Sequence, residues 1–214
     1  MSGARSSCRP WLFAAWLALS VPASAGSYDD LFAAMRAGDL ATVSSFLRAG
    51  VSADLADTTG TTLLMMAARQ GRPELVDALL AGGARVNVRN AYGDSALMMA
   101  ALNGNAEVVR RLVRAGAQVN NEGWTALSYA ASAGHDEIVK LLLGLGARVD
   151  ARAPNGTTPL MMAARGGYAS TVRLLLTAGA DTDLRNDDGA TAMSWAAAHG
   201  HEDIVRSLQA APFR

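Results

Sequence analysis

The 214-residue chain has one cysteine, three histidines, only 6% aromatic residues and no excess of either charge, with 19 basic residues against 19 acidic. Each shortage removes a class of function. A lone cysteine, Cys8, builds neither a disulfide framework nor a thiolate cluster, so the fold must stand on packing alone. A formal charge of +0 supplies no overall field to draw the chain to nucleic acid or an anionic membrane, which leaves only local electrostatic preferences. Apart from Trp11 to Val21 no apolar run is long, and that run falls short of the roughly 20 residues a membrane-spanning helix needs. What is present is apolar: 50% hydrophobic residues with 18% charged require a real core and exclude a wholly disordered chain.

Arg5 and Arg9 precede the apolar run, and Ala23-Ser24-Ala25 follows it with small residues at the two positions a signal peptidase reads. Residues 1–25 are expected to be a secretory signal peptide, cut before Gly26. Cleavage would discard Cys8 and leave a mature chain without a thiol to mispair in an oxidising compartment. It would also take two from the 19 basic residues and none from the 19 acidic, moving the balance to −2. No nucleic-acid partner and no membrane insertion of the mature chain are expected.

Glycine then sets a ruler. Gly60, Gly93, Gly123, Gly156 and Gly189 are 33, 30, 33 and 33 residues apart, and Gly71, Gly104, Gly134, Gly167 and Gly200 keep the same intervals. Two landmarks with one period mean a repeated structural unit. Thr62, Ser95, Thr125, Thr158 and Thr191 each stand before a short apolar stretch, where a hydroxyl can cap a helix, and Pro159 follows its Thr at a first-turn position that tolerates a missing N–H. The first helix ends at the second glycine. A second helix follows, for example from Asp136 to Leu143 with Ile138, Val139, Leu141, Leu142 and Leu143 apolar. Gly-Ala, an extended segment and a turn lead to the next unit.

The stretch Thr158-Pro159-Leu160-Met161-Met162-Ala163-Ala164 resembles the ankyrin repeat, in which Thr-Pro-Leu-His is followed by Ala, and the resemblance covers residues 27–214. It implies an all-α repeat fold: an ankyrin solenoid of about six helix-turn-helix units with hairpin loops, the first and last acting as caps. The motif's His is Met65, Met98, Ser128, Met161 and Ser194 here, so its hydrogen bonding must be absent or replaced, with altered local packing and the same fold. Ser44 and Ser45 in the first unit stand where internal units have residues such as Lys140 and Leu141, and Ser207 and Gln209 in the last stand at the positions of Leu141 and Leu143. Polar outer faces stop a solenoid from growing by polymerisation, so a monomer is expected.

Chemistry-bearing residues are few. Met65-Met66, Met98-Met99 and Met161-Met162 lie on first helices before Ala-Ala pairs, where unbranched thioethers suit irregular gaps in a core. A soft-metal or small-ligand carrier using these Met residues with His135, His199 and His201 is the alternative, but adjacent Met residues on one helix do not converge on one ion. No nucleophile elbow, phosphate loop or paired-carboxylate cleft is present, so neither an enzyme nor a cofactor is expected.

The resemblance implies a binding surface made by hairpin tips and first-helix ends, with another protein as partner. Mapped by repeat position, that surface carries Arg69, Gln70, Asn103 and Arg165 on first-helix ends, and Arg89, Tyr92, Asp94, Trp124, Arg152 and Arg185 on the hairpin side. Arg69, Arg89, Arg152, Arg165 and Arg185 would form a broken basic stripe, and Tyr92 and Trp124 are the aromatic candidates for hot spots. The 30-residue interval arises because Asn120-Asn121-Glu122-Gly123 replaces a longer hairpin. Two readings stay open, a neutral shortening of a loop and a notch in the row of tips. Ankyrin arrays of eukaryotes are mostly intracellular, so a signal peptide on one implies a bacterial protein of the periplasm, or a secreted one.

Overall fold

The structure, a computed structural model, describes residues 27–210; the expected signal peptide lies outside them. Among the described residues there are twelve α-helices and no strand, in six pairs. The pairs are α1 (Tyr28–Ala37) with α2 (Leu40–Arg48), α3 (Leu63–Gln70) with α4 (Pro73–Ala81), and α5 (Ala96–Leu102) with α6 (Ala106–Arg114). Then come α7 (Ala126–Ser132) with α8 (Asp136–Gly144), α9 (Pro159–Gly166) with α10 (Ala169–Thr177), and α11 (Ala192–Ala198) with α12 (Glu202–Gln209).

Helices of seven to ten residues are too short to persist alone in water, so both caps and stacking are needed. The capping hydroxyls are where the sequence puts them: Thr62, Ser95, Thr125, Thr158 and Thr191 accept N–H groups of Met65, Met98, Ser128, Met161 and Ser194 at 3.1–3.4 Å. At the former His position the bonding is replaced. Ser128 meets the Thr125 hydroxyl at 3.0 Å, Ser194 accepts the Thr191 N–H at 2.9 Å, and the Met98 sulfur takes the Ser95 N–H at 3.4 Å. The fold is unchanged, as the resemblance implies.

The first helices stack in one row and the second helices in another, with a single apolar core between them running from Leu31 to Leu208. Buried Ala-Ala pairs, such as Ala67-Ala68, Ala100-Ala101, Ala130-Ala131 and Ala163-Ala164, let the first helices approach more closely than the second helices do. The stack therefore bends with the first helices on its inner side. Met65, Met98 and Met161 are each 1% exposed and Met66 is buried, while Met99 is partly buried against the core and Met162 is partly buried. The pairs are packing residues. Met161→Leu conserves volume and is expected to cost less than about 1.5 kcal/mol in denaturant unfolding, with binding retained; a larger loss would mean that the thioether does more than fill space.

Two sets of contacts fix the register between units. Asp54, Asn87, Asn120 and Asp150, with the period of the glycines, accept the N–H of Arg85, Gln118, Arg148 and Asp181 in the following unit at 2.8–3.0 Å. The residue after each second glycine reaches back to the preceding first helix: the Asn105 amide donates to the Ala68 carbonyl at 2.8 Å, and the Nε2 atoms of His135 and His201 lie 3.0 and 3.2 Å from the Leu102 and Arg165 carbonyls. Gly134, at φ 70°, has a second reason to be glycine, because a Cβ there would collide with the Tyr168 ring of the next unit. His135 and His201 are thus structural, as their matching positions imply.

At the ends, Ser45 donates to the Thr42 carbonyl at 2.7 Å and Ser207 to the Asp203 carbonyl at 2.9 Å, and Gln209 is exposed. Ser44 instead lines a shallow groove with Leu47, Ala78 and Gly82 between α2 and α4, so it faces the next unit. The outer rows are tied by charge: Arg111 pairs with Asp77 and with Glu107 at 2.9 Å, and Arg110 pairs with Glu107 at 3.5 Å and Glu137 at 2.5 Å, linking α4, α6 and α8.

Candidate functional site

The hairpins between units form fingers, each closed by a short turn. In the finger 57–61 the Asp57 carboxylate accepts the N–H groups of Thr59 and Thr61 at 2.8 and 3.0 Å, and these bonds together with the Thr59 hydroxyl hold its carboxyl below the usual carboxylate range, the hydroxyl contributing most. In 90–94 the Asn90 side-chain oxygen does the same for Tyr92 and Asp94 at 3.0 and 2.9 Å, and in 186–190 Asn186 accepts the Ala190 N–H at 2.8 Å. Ala153 holds that position in the finger 153–157, and Asn155 accepts the Thr157 N–H at 3.2 Å instead. Neighbouring fingers are joined edge to edge: Ala91 donates its N–H to the Thr59 carbonyl at 2.9 Å and Asp187 to the Asn155 carbonyl at 3.0 Å. Thr157 Oγ1 and Asn186 Nδ2 are buried without partners, and the atoms at the same two positions in the first pair, Thr61 Oγ1 and Asn90 Nδ2, meet at 3.5 Å.

The three finger arginines turn out to be ties as well as surface charges. Arg89 donates to the Glu122 carbonyl at 3.3 Å and Arg152 to the Arg185 carbonyl at 2.7 Å, the same contact with each reaching 33 residues along the chain, while Arg185 turns to the Gly189 carbonyl of its own finger at 2.8 Å. All three remain exposed. Tyr92 is 74% exposed. Trp124 is partly buried, its ring 6.0 Å from that of Tyr129, whose hydroxyl donates to the Asp94 carboxylate at 2.6 Å. Burial, followed by that carboxylate, pushes the Tyr129 phenol well above its ordinary range and keeps it a donor. Asp94 and Trp124 are therefore brought together around Tyr129, and Asp94 spends part of its accepting capacity inside the protein.

On the first-helix ends Arg69 and Arg165 are exposed in the last turns of α3 and α9. The Arg165 guanidinium sits 5.6 Å above the Trp195 ring of the next unit, a cation–π geometry that holds it to the inner face. Asn103 donates to the Met99 carbonyl of its own helix at 2.8 Å, and Gln70 is partly buried with Oε1 unpartnered. Tyr129 and Trp195 are the residues sequence reasoning passed over. Both stand where other units have the second methionine of the pair, a position whose partial burial in Met99 and Met162 shows that it borders the inner surface.

No support for a metal carrier emerges. The rings of His199 and His201 stack 6.2 Å apart, but His199 Nδ1 lies 2.9 Å from the Trp195 carbonyl and His201 Nε2 is held by Arg165. Among the described residues no group of three or more His, Cys, Asp or Glu is placed to hold a metal ion. No helix there is long and apolar enough to cross a membrane.

Comparison with known proteins gives one result. The family model for ankyrin repeats in three copies matches residues 31–121, 64–153 and 145–212. No curated protein matches the chain. Since the three overlapping matches follow the stacked units almost from end to end, this chain belongs to the ankyrin-repeat family, whose arrays generally mediate protein–protein interaction without catalysis.

Proposed function

We propose that the protein is an exported scaffold that holds another protein against its inner first-helix ends and fingers and performs no catalysis. The observation that carries this reading is the pair Arg69 and Arg165. They occupy matching positions on α3 and α9, lie exposed on the inner side, and make no ion pair with a carboxylate among the described residues, although the Arg69 charge is near enough to help lower the Asp57 carboxyl. Arginine so placed is available to an acidic partner surface, and its planar donors suit carboxylates. The test is capture of partners from the exporting cell with the purified chain as bait beside a bait altered at these two positions; identical capture by both would reject the surface.

Export rests on Arg5, Arg9, the apolar run and Ala23-Ser24-Ala25, with the periplasm of a bacterium as the favoured destination and secretion beyond it as the other. The intact mass of the exported protein should correspond to a chain beginning at Gly26. A mass that retains Cys8 would overturn both cleavage and export by this route. The chain acts as a monomer, consistent with polar residues at Ser45, Ser207 and Gln209 on its ends.

A further inference from the structure

The array has one finger fewer than its units require, and the gap has chemistry of its own. Asn120-Asn121-Glu122-Gly123 lacks the three residues that form the tip in the unit before, Asn90, Ala91 and Tyr92. Where the fingers are complete, the carbonyl at one repeated position, Thr59 or Asn155, accepts an N–H from the next finger. Tyr92 stands at that position in the second finger, and among the described residues its carbonyl receives no such bond. Across the gap the matching donor position is Pro154, which has no N–H to give. The row of fingers is thus split into two bonded pairs, and beside the short loop lies an open cleft of about 380 Å³, lined by Asn121, Glu122 and Gly123 on one side and by Arg148, Asp150 and Arg152 on the other. Arg89 and Arg148 reach into the short loop from either side, donating to the Glu122 and Asn121 carbonyls at 3.3 and 3.1 Å. A carbonyl neutralises no charge, so these guanidinium groups and that of Arg152, which also bonds a carbonyl, keep theirs. Glu122 and Asp150 keep their charges as well, the Asp150 carboxylate while accepting the Asp181 N–H at 3.0 Å, so Arg89, Arg148 and Arg152 exceed the two carboxylates by one.

We infer that this gap is a docking slot in which an extended, acidic segment of the partner protein takes the place of the missing fingertip. The segment donates a backbone N–H to the Tyr92 carbonyl, as Ala91 does to Thr59, and sets a carboxylate against Arg148 and Arg152, while the Tyr92 ring covers it from one side. The inference rests on the reading of the protein as a protein-binding array, and gives that surface a specific ligand chemistry.

The test uses a displayed library of random eight-residue peptides, selected on the purified chain. Selected peptides should be rich in Asp and Glu. Inserting Asn-Ala-Tyr between Glu122 and Gly123 restores the 33-residue interval seen elsewhere and fills the slot, so it should weaken the best peptide by at least about tenfold while the thermal melt of the protein is unchanged or raised. If that variant fails to fold, Arg148→Glu combined with Arg152→Glu should give the same loss. Peptides that bind the filled variant, or the double charge reversal, as well as the parent would overturn the slot, and so would a selection that yields no acidic binder. A peptide lost on Arg69→Glu and Arg165→Glu but kept by the filled slot would overturn the slot and leave the inner-helix surface standing. The reverse pattern would keep the slot and remove the inner-helix reading.

Discussion

Leu127→Ala should unfold the array at markedly lower denaturant, with a loss of about 2–5 kcal/mol. Leu127 is 1% exposed on α7, the first helix of the fourth unit, with α5 and α9 packed on either side of it. Truncation there removes apolar contact and leaves a void that short helices cannot collapse to fill, because the Thr125 cap and the turn at Ala133-Gly134 fix where α7 begins and stops. In a stack whose units contact only their neighbours, weakening the middle also weakens the coupling of the two halves. Urea unfolding followed by circular dichroism should therefore show a lower midpoint and a broader or two-step transition. Leu102→Ala, at a residue 39% exposed, is the comparison and should stay within about 0.5 kcal/mol of the parent. A loss below 1 kcal/mol at Leu127, or an equal loss at both sites, would show that the core is not continuous through this unit.

Arg69→Glu combined with Arg165→Glu should reduce affinity for the partner by more than about tenfold, with most of the salt dependence of association lost as well. Each replacement reverses one charge on the inner face and touches none of the buried apolar positions, so the melting temperature should hold. The Arg165 change also releases the Trp195 ring, so a separate Trp195→Ala variant distinguishes charge from the loss of an aromatic contact. Lys140→Glu on α8 is the suitable control, exposed on the second-helix side and outside the ion-pair network. Arg110, also on a second helix, would mislead, because its reversal would break contacts to both Glu107 and Glu137 and destabilise the fold for reasons unrelated to binding. Unchanged affinity in the double variant together with loss on Trp124→Ala would move the contact from the helix ends to the fingers.

The architecture was readable because its causes are local and repeated. A hydroxyl before an apolar stretch, a glycine after it and a constant interval define each helix pair; the structure places the caps at those hydroxyls, ends α3 and α9 at Gly71 and Gly167, and ends α5, α7 and α11 one residue before the glycine, at Asn103, Ala133 and His199. The surface was less readable because side-chain direction depends on neighbours a full unit away. Arg89, Arg152 and Arg185 look like free charges in the sequence, yet each spends a donor on a backbone carbonyl, and for Arg89 and Arg152 that carbonyl is 33 residues along the chain. Asp94 and Trp124 look like separate fingertip groups, yet both converge on Tyr129, which the pattern marks only as a replacement for methionine. The residues Asp54, Asn87, Asn120 and Asp150 do follow the period, so the inter-unit bonds were present in the spacing. They were indistinguishable there from ordinary loop residues, because Asn and Asp also serve turns of their own.

Those four bonds also say how such a protein changes length. Each side chain holds the amide of a residue defined only by its place in the next unit, whether that residue is Arg85, Gln118, Arg148 or Asp181. Join Thr59 directly to Gly93 and Asp54 comes to face Gln118, whose amide Asn87 now holds, with the same acceptor chemistry offered to the same donor. In this one bond, each junction suits the amide of whichever unit follows it. Copy number is then a free variable: duplication or loss of whole units lengthens or shortens the reach of the molecule without a new junction having to be invented, while the chain keeps one way to fold.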